Sequence, residues 1–173
     1  YFRARFVSAC DHHQDEQGNW VHGPNGNADA FELEQLQRYG HTWNDAGSYW
    51  NHNNTDPNLA YGFVFAHRLD EEQGYIEGIV AVERGLTFGG KRDKEGRLFP
   101  DSNEVIAKIE SGDITDVSMG CMVEESECSI CGNVAHDQFE YCQHIPLKGQ
   151  TVGGKLVFEF NRGCNWFEIT IIP

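Results

Sequence analysis

Two alternating segments separated by only residues 70–74 constrain the fold more than any other feature of this chain. Residues 61–69 set Phe63, Phe65, His67 and Leu69 on one face, and residues 75–83 form a second run of the same kind. A connection that short joins antiparallel neighbours and leaves no room for the crossover that parallel neighbours require. Other stretches share the period of two. Residues 2–10 carry Phe2, Ala4 and Phe6 on one side, and residues 155–160 turn Leu156, Phe158 and Phe160 inward. In residues 166–172 the expected core face is Phe167, Ile169 and Ile171. Helical spacing occurs twice. Residues 29–39 point Phe31, Leu36 and Tyr39 toward a core and stop at Gly40. Residues 104–110 follow a capping-box-like Asp101-Ser-Asn-Glu104, bury Val105, Ile106 and Ile109, and stop at Gly112. Residues 11–27 and 43–57 are rich in turn formers, and residues 84–100 read as a flexible surface loop. There is no internal repeat. About six strands and two helices make a β-dominated α+β chain.

At 173 residues, 39% of them hydrophobic, one domain with its own core is expected. With 27 acidic against 13 basic residues, the formal charge of -14 argues against binding nucleic acid or an anionic membrane. Solubility alone also accounts for the acidity. No apolar run approaches membrane-spanning length and no signal peptide is visible. The chain opens at Tyr1 without a methionine, so a trimmed or missing N-terminal stretch is expected.

Six cysteines without a pairing pattern point to a reducing compartment and a metal site rather than a disulfide framework. Cys128-Ser-Ile-Cys131-Gly-Asn is a knuckle whose turn aims backbone N–H groups at thiolates, and Cys142-Gln-His144 follows. Cys128, Cys131, Cys142 and His144 are the expected ligands of one structural zinc ion, with His136 as the alternative to His144. A redox C-x-x-C is the competing reading, but it normally opens a helix of a thioredoxin-like unit, which this chain lacks. The metal would pin residues 124–150, an insertion with little core of its own. Cys10, Cys121 and Cys164 read as small buried residues. His12, His13 and His22 sit in a polar loop with no spacing that makes them ligands.

Residues 112–123, Gly-Asp-Ile-Thr-Asp-Val-Ser-Met-Gly-Cys-Met-Val, read as a strand following the second helix. Val117, Met119, Cys121 and Val123 form its apolar face, which puts Ser118 on the other, between Asp116 and Gly120. A serine beside a residue with no side chain is placed to meet a substrate; the plain alternative is a solvated strand serine. His52 lies between asparagines in the loop that precedes the hairpin, and Glu168 falls opposite the apolar stripe of the last strand.

The order of these features resembles the prohead (capsid maturation) proteases of tailed phages, whose fold is shared with the herpesvirus assemblin proteases. The likeness runs from about Thr42 to Ile172 and rests on Asn51-His52 ahead of Gly62, Ser118-Met-Gly120 and Glu168-Ile-Thr170. It implies a serine endopeptidase with Ser118 as nucleophile, His52 as base and Glu168 as the acidic third member. It also implies a mostly antiparallel, barrel-like sheet with two or more peripheral helices, here with a small zinc-bound insertion. That insertion is absent from the simplest members and suits a large-phage branch. The implied substrates and partners are the phage scaffold, the major capsid protein and the chain's own tail, with a second copy of the chain as a further partner. The implied location is the procapsid interior or virion, assembled in the host cytoplasm. The family continues past the position of Pro173, so a missing, removed or disordered tail is expected. Backbone N–H groups near Asn161-Arg-Gly163, with Arg162 as a charged helper, are the candidate oxyanion donors. The alternative is a catalytically silent, capsid-associated structural protein, or a zinc-stabilised interaction protein of a phage.

Overall fold

The computed structural model describes residues 1–11, 16, 23–93 and 95–173. His12, His13 and His22 lie outside the described residues. The first half of the chain forms β1 (Phe2–Ser8), β2 (Asp29–Ala30), α1 (Leu33–Tyr39), β3 (Gly47–Trp50), β4 (Gly62–Asp70) and β5 (Tyr75–Val82). The second half forms α2 (Ser102–Ser111), β6 (Asp116–Met122), β7 (Glu125–Cys128), β8 (Val134–Ala135), β9 (Thr151–Val152), β10 (Lys155–Leu156), β11 (Glu159–Arg162) and β12 (Asn165–Ile172).

Six strands make the main sheet in the order β1-β5-β4-β3-β12-β6. It curls into a nearly closed barrel: the outer edges of β1 and β6 approach without pairing, and clefts of about 400 and 530 Å³ lie between them. The β4–β5 hairpin forms as its spacing requires, with Gly74 at φ 68° and its N–H donating to the Asp70 carbonyl. The antiparallel expectation holds only in part. β3 runs parallel to β12 in the main sheet, and β2 runs parallel to β11 in a second sheet of order β2-β11-β7-β8.

β3 lies in the stretch read from sequence as a loop. Its Gly-Ser-Tyr-Trp sequence looks like a turn, yet Ser48 and Trp50 are buried because β4 and β12 flank them. Residues 29–39 are not one helix. Asp29–Ala30 pairs with β11 and α1 begins at Leu33, although Phe31 and Leu36 do reach the core. Gly40 does not stop the chain either. It is right-handed and leads into a 3-10 helix over Gly40–Asp45, and an added Cβ there would meet Ile76 Cδ1 at 3.0 Å. Gly112 does terminate α2 in the left-handed conformation, but the Asp101 side chain makes no capping bond. Residues 84–100 are more than surface loop: Phe88 and Phe99 are buried against Tyr61, Val105 and Ile171.

Two bulges re-aim side chains. One between Trp166 and Glu168 brings Trp166 onto the core side with Ile169, where it stacks on Trp43 with ring centroids 5.8 Å apart. Another, between Val64 and Ala66, shifts the phase: before it Val64 is buried and Phe63 is exposed, Phe65 at the bulge is exposed too, and after it Leu69 packs against the core. The stretch 155–160 has its phase inverted. Val157, Glu159 and Asn161 face inward, while Leu156 is exposed and Phe158 and Phe160 are half-buried. Val117, Met119, Cys121 and Val123 pack against the core as their alternation requires. Among the described residues no helix is long and apolar enough to cross a membrane.

Candidate active site and metal centre

β12 carries the centre of the candidate site. Its register opposes Glu168 to Gly120 of β6 and to Gly47 of β3, and opposes Thr170 to Ser118 and to Tyr49. Directly opposed residues share a face, as do residues two apart, so Ser118, Gly120 and Glu168 lie on one face. Gly120 has a defined job there. A Cβ on it would fall 2.6 Å from both Cγ and Oε1 of Glu168, so only glycine leaves room for the carboxylate. Ser118 stands two residues along the same strand, about 6.7 Å away. That is the kind of gap an imidazole spans when it is hydrogen-bonded at both nitrogens.

His52 comes from the turn that ends β3. Asn51 and His52 both adopt left-handed backbone, φ 47° and 55°, a conformation that costs a residue with a Cβ about 1–2 kcal/mol. Their neighbours hold them in it. The Asn51 N–H donates to the Ile171 carbonyl, and the Asn53 amide donates to the Trp50 and Asn51 carbonyls. The turn brings His52 Nδ1 to 2.6 Å from Glu168 Oε1. Asn54 Nδ2 donates to Glu168 Oε2 at 2.8 Å. Glu168 is only 1% exposed, so both oxygens of a buried carboxylate are satisfied, one by the ring and one by an amide. A carboxylate only accepts, so it fixes the proton on Nδ1 and leaves the Nε2 lone pair available. The His52 side chain is 36% exposed and Ser118 is half-buried, so both remain reachable. Tyr49 on the same face has its pKa raised by burial and by the negative charges of Glu168 and Asp56.

Sequence reasoning missed Asn54. Three asparagines surround His52, and nothing in their order tells which amide meets the carboxylate. The suggested oxyanion donors are elsewhere engaged. The Gly163 N–H donates to Gln35 Oε1, and the Arg162 guanidinium bonds Glu32 and Glu127.

In the insertion, the ligand atoms of Cys128, Cys131, Cys142 and His144 all lie within 4.8 Å of one another, and the cluster could hold one metal ion. A tetrahedral site with bonds of about 2.0–2.3 Å has edges near 3.7 Å, and Cys142 Sγ lies 3.7 Å from His144 Nδ1. The knuckle turns at Gly132, φ 68°, and the Ile130 N–H lies 3.4 Å from Cys128 Sγ. Burial alone would raise the Cys142 thiol. The His144 N–H, the Cys131 and Cys128 sulfurs and the Ile145 N–H outweigh it and bring the pKa down to about 6. His136 is outside the cluster, turned to Glu140 at 3.1 Å and Glu125 at 3.7 Å, so His144 is the histidine of the group. All six cysteines are free thiols; Cys10 and Cys164 are buried and Cys121 is half-buried.

Residues 124–150 are tied by charge to β2 and β11, and through Arg162 of β11 to the start of α1. Lys148 Nζ donates to Asp29 Oδ1 at 2.8 Å and bonds Glu159 Oε1. Burial opposes the Lys148 ammonium, but the two carboxylates prevail and raise its pKa. Arg162 bonds Glu32 at 3.0 Å and Glu127 at 2.6 Å. No protein-family model, no curated protein and no solved structure matches this chain.

Proposed function

We propose that the chain is a serine endopeptidase of the prohead-protease kind, with Ser118 as nucleophile, His52 as general base and Glu168 as the orienting carboxylate. The observation that carries this reading is the 2.6 Å bond from His52 to buried Glu168, built over the glycine two residues from Ser118. His52 Nε2 takes the proton of the Ser118 hydroxyl as Oγ attacks a peptide carbonyl. The resulting imidazolium is stabilised by Glu168 and returns the proton to the leaving amine. Water, activated by the same imidazole, then hydrolyses the acyl-enzyme and frees Ser118. The substrates are scaffold and capsid-protein segments of an assembling phage procapsid, together with the protease's own tail. The protein acts inside the procapsid.

The metal in this reading is one structural zinc ion held by Cys128, Cys131, Cys142 and His144. Four protein ligands leave no position for substrate water, so zinc takes no part in the hydrolysis. A fluorophosphonate probe tests the enzyme directly. Covalent labelling should map to Ser118 and disappear in Ser118→Ala and His52→Ala. A folded protein that takes no label would overturn the peptidase reading and leave a zinc-stabilised interaction protein.

A further inference from the structure

Among the described residues β6 has β12 as its single strand partner, and two clefts meet along its open edge at Ser118. The first, of about 400 Å³, runs toward β1 past Arg5 and Ser8. The second, of about 300 Å³, runs to the junction between barrel and insertion. Its walls include Asn27, Asp29, Ser126, Tyr141, Glu159 and Asn161, with no lysine or arginine among its described lining. This volume suits one long side chain.

The second cleft carries an unmet demand. Glu159 is 6% exposed, and its Oε2 is buried with no hydrogen-bond partner among the described residues. A carboxylate oxygen left so costs free energy until a donor reaches it. Lys148 satisfies Oε1, but it approaches from the insertion side, is absent from the cleft lining, and is shared with Asp29. Two carboxylates therefore share one ammonium, and the cleft keeps a net negative charge. The neighbouring polar groups do not supply the missing donor. Ser126 Oγ donates to Asn161 Oδ1, and Asn161 Nδ2 donates to Asp29 Oδ1.

We propose that this cleft is a specificity pocket that takes a lysine or arginine side chain of the protein substrate beside the bond attacked by Ser118. The pocket's role in specificity rests on the peptidase reading above. A cationic tip brings both the charge and the N–H donors that Glu159 lacks. An acidic side chain would meet two carboxylates, and an apolar one would desolvate them further without compensation. Ser126 and Tyr141 belong to the metal-bearing insertion, so that segment forms a wall of the pocket as well as a clasp.

The test has two arms. In the first, the protein cleaves paired peptides that differ only by lysine or norleucine at each position in turn. At one position lysine should be preferred in kcat/KM by on the order of 100-fold, and Glu159→Gln should shrink that ratio at least tenfold. Peptide cleavage with no preference for a basic residue at any position overturns the pocket and leaves the peptidase reading standing. The second arm needs no catalysis. Ser118→Ala protein is titrated with N-acetyl-lysine methylamide and with its norleucine counterpart. The lysine compound alone should shift the amide NMR signals of Gly120, Ser126 and Tyr141. Lys148→Met, which removes the competing ammonium, should tighten that binding, whereas Asp29→Asn should weaken it. Failure to cleave any peptide sinks the peptidase reading. The lysine compound then judges the cleft alone: selective shifts uphold a cation site, and their absence overturns it.

Discussion

Gly120 and Asn54 show how much of the candidate site depends on single positions. Gly120→Ala would push a methyl group against Cγ and Oε1 of Glu168 at 2.6 Å. The carboxylate must then swing away from His52 and Asn54. Fluorophosphonate labelling of Ser118 should fall at least tenfold, with a stability loss of about 1–3 kcal/mol, read by denaturant titration. Labelling at the parent rate would break the link between that glycine and the base. Asn54→Ala strands Oε2 of a buried carboxylate and should cost about 1–3 kcal/mol, measured the same way. Glu168→Gln should slow labelling less than His52→Ala does, because the proposed base survives and loses its orientation and charge support. Combining Ser118→Ala with His52→Ala should look little worse than either alone, since the proposed mechanism uses the two as one unit. The contact between His52 and Glu168 was legible because each residue stands in a short pattern, as Ser118 does. Asn54 was not, because its role is set by where a left-handed turn delivers it.

At the scale of elements, local chemistry was readable and phase was not. Spacing picked out Cys128, Cys131 and Cys142 because ligand geometry is written locally, but it left His144 and His136 as alternatives, and the fold is what groups His144 with the cysteines. The inverted phase of residues 155–160 was hidden. Alternation gives a period, and hydrophobicity chose the wrong half of it. Glu159 and Asn161 are tolerated inside because Lys148 and Ser126, distant in sequence, meet them. β3 was missed for a related reason: its burial is conferred by β4 and β12 and not by its own composition. The metal element yields its own prediction. In chelator-treated protein near pH 7, iodoacetamide should modify Cys142 ahead of the more exposed Cys131. Its pKa of about 6 leaves it largely thiolate there, whereas that of Cys131 is raised. Peptide mapping by mass spectrometry reads the order, and zinc should protect both. Below about pH 6 protons should compete for Cys142 and zinc should leave more readily.

For the whole molecule, β12 is the strand on which the architecture turns. It lies between β3 and β6, and the hairpin rule could not foresee that it would run parallel to β3, because sequence spacing says nothing about neighbours brought from opposite ends of a chain. A chain cut after Gly163 leaves β6 with no strand partner among the described residues and the core without Trp166, Ile169 and Ile171. Such a chain should show no cooperative thermal transition by circular dichroism; a sharp melt near the parent temperature would contradict this. The same arrangement has a consequence in time. The ribosome makes His52 and Ser118 well before Glu168, and β6 lacks its partner β12 until the segment around Glu168 has emerged. On the proposed peptidase reading, a nascent chain carrying only His52 and Ser118 would be chemically mute, and hydrolytic power would arrive in one step, with the strand that also completes the sheet.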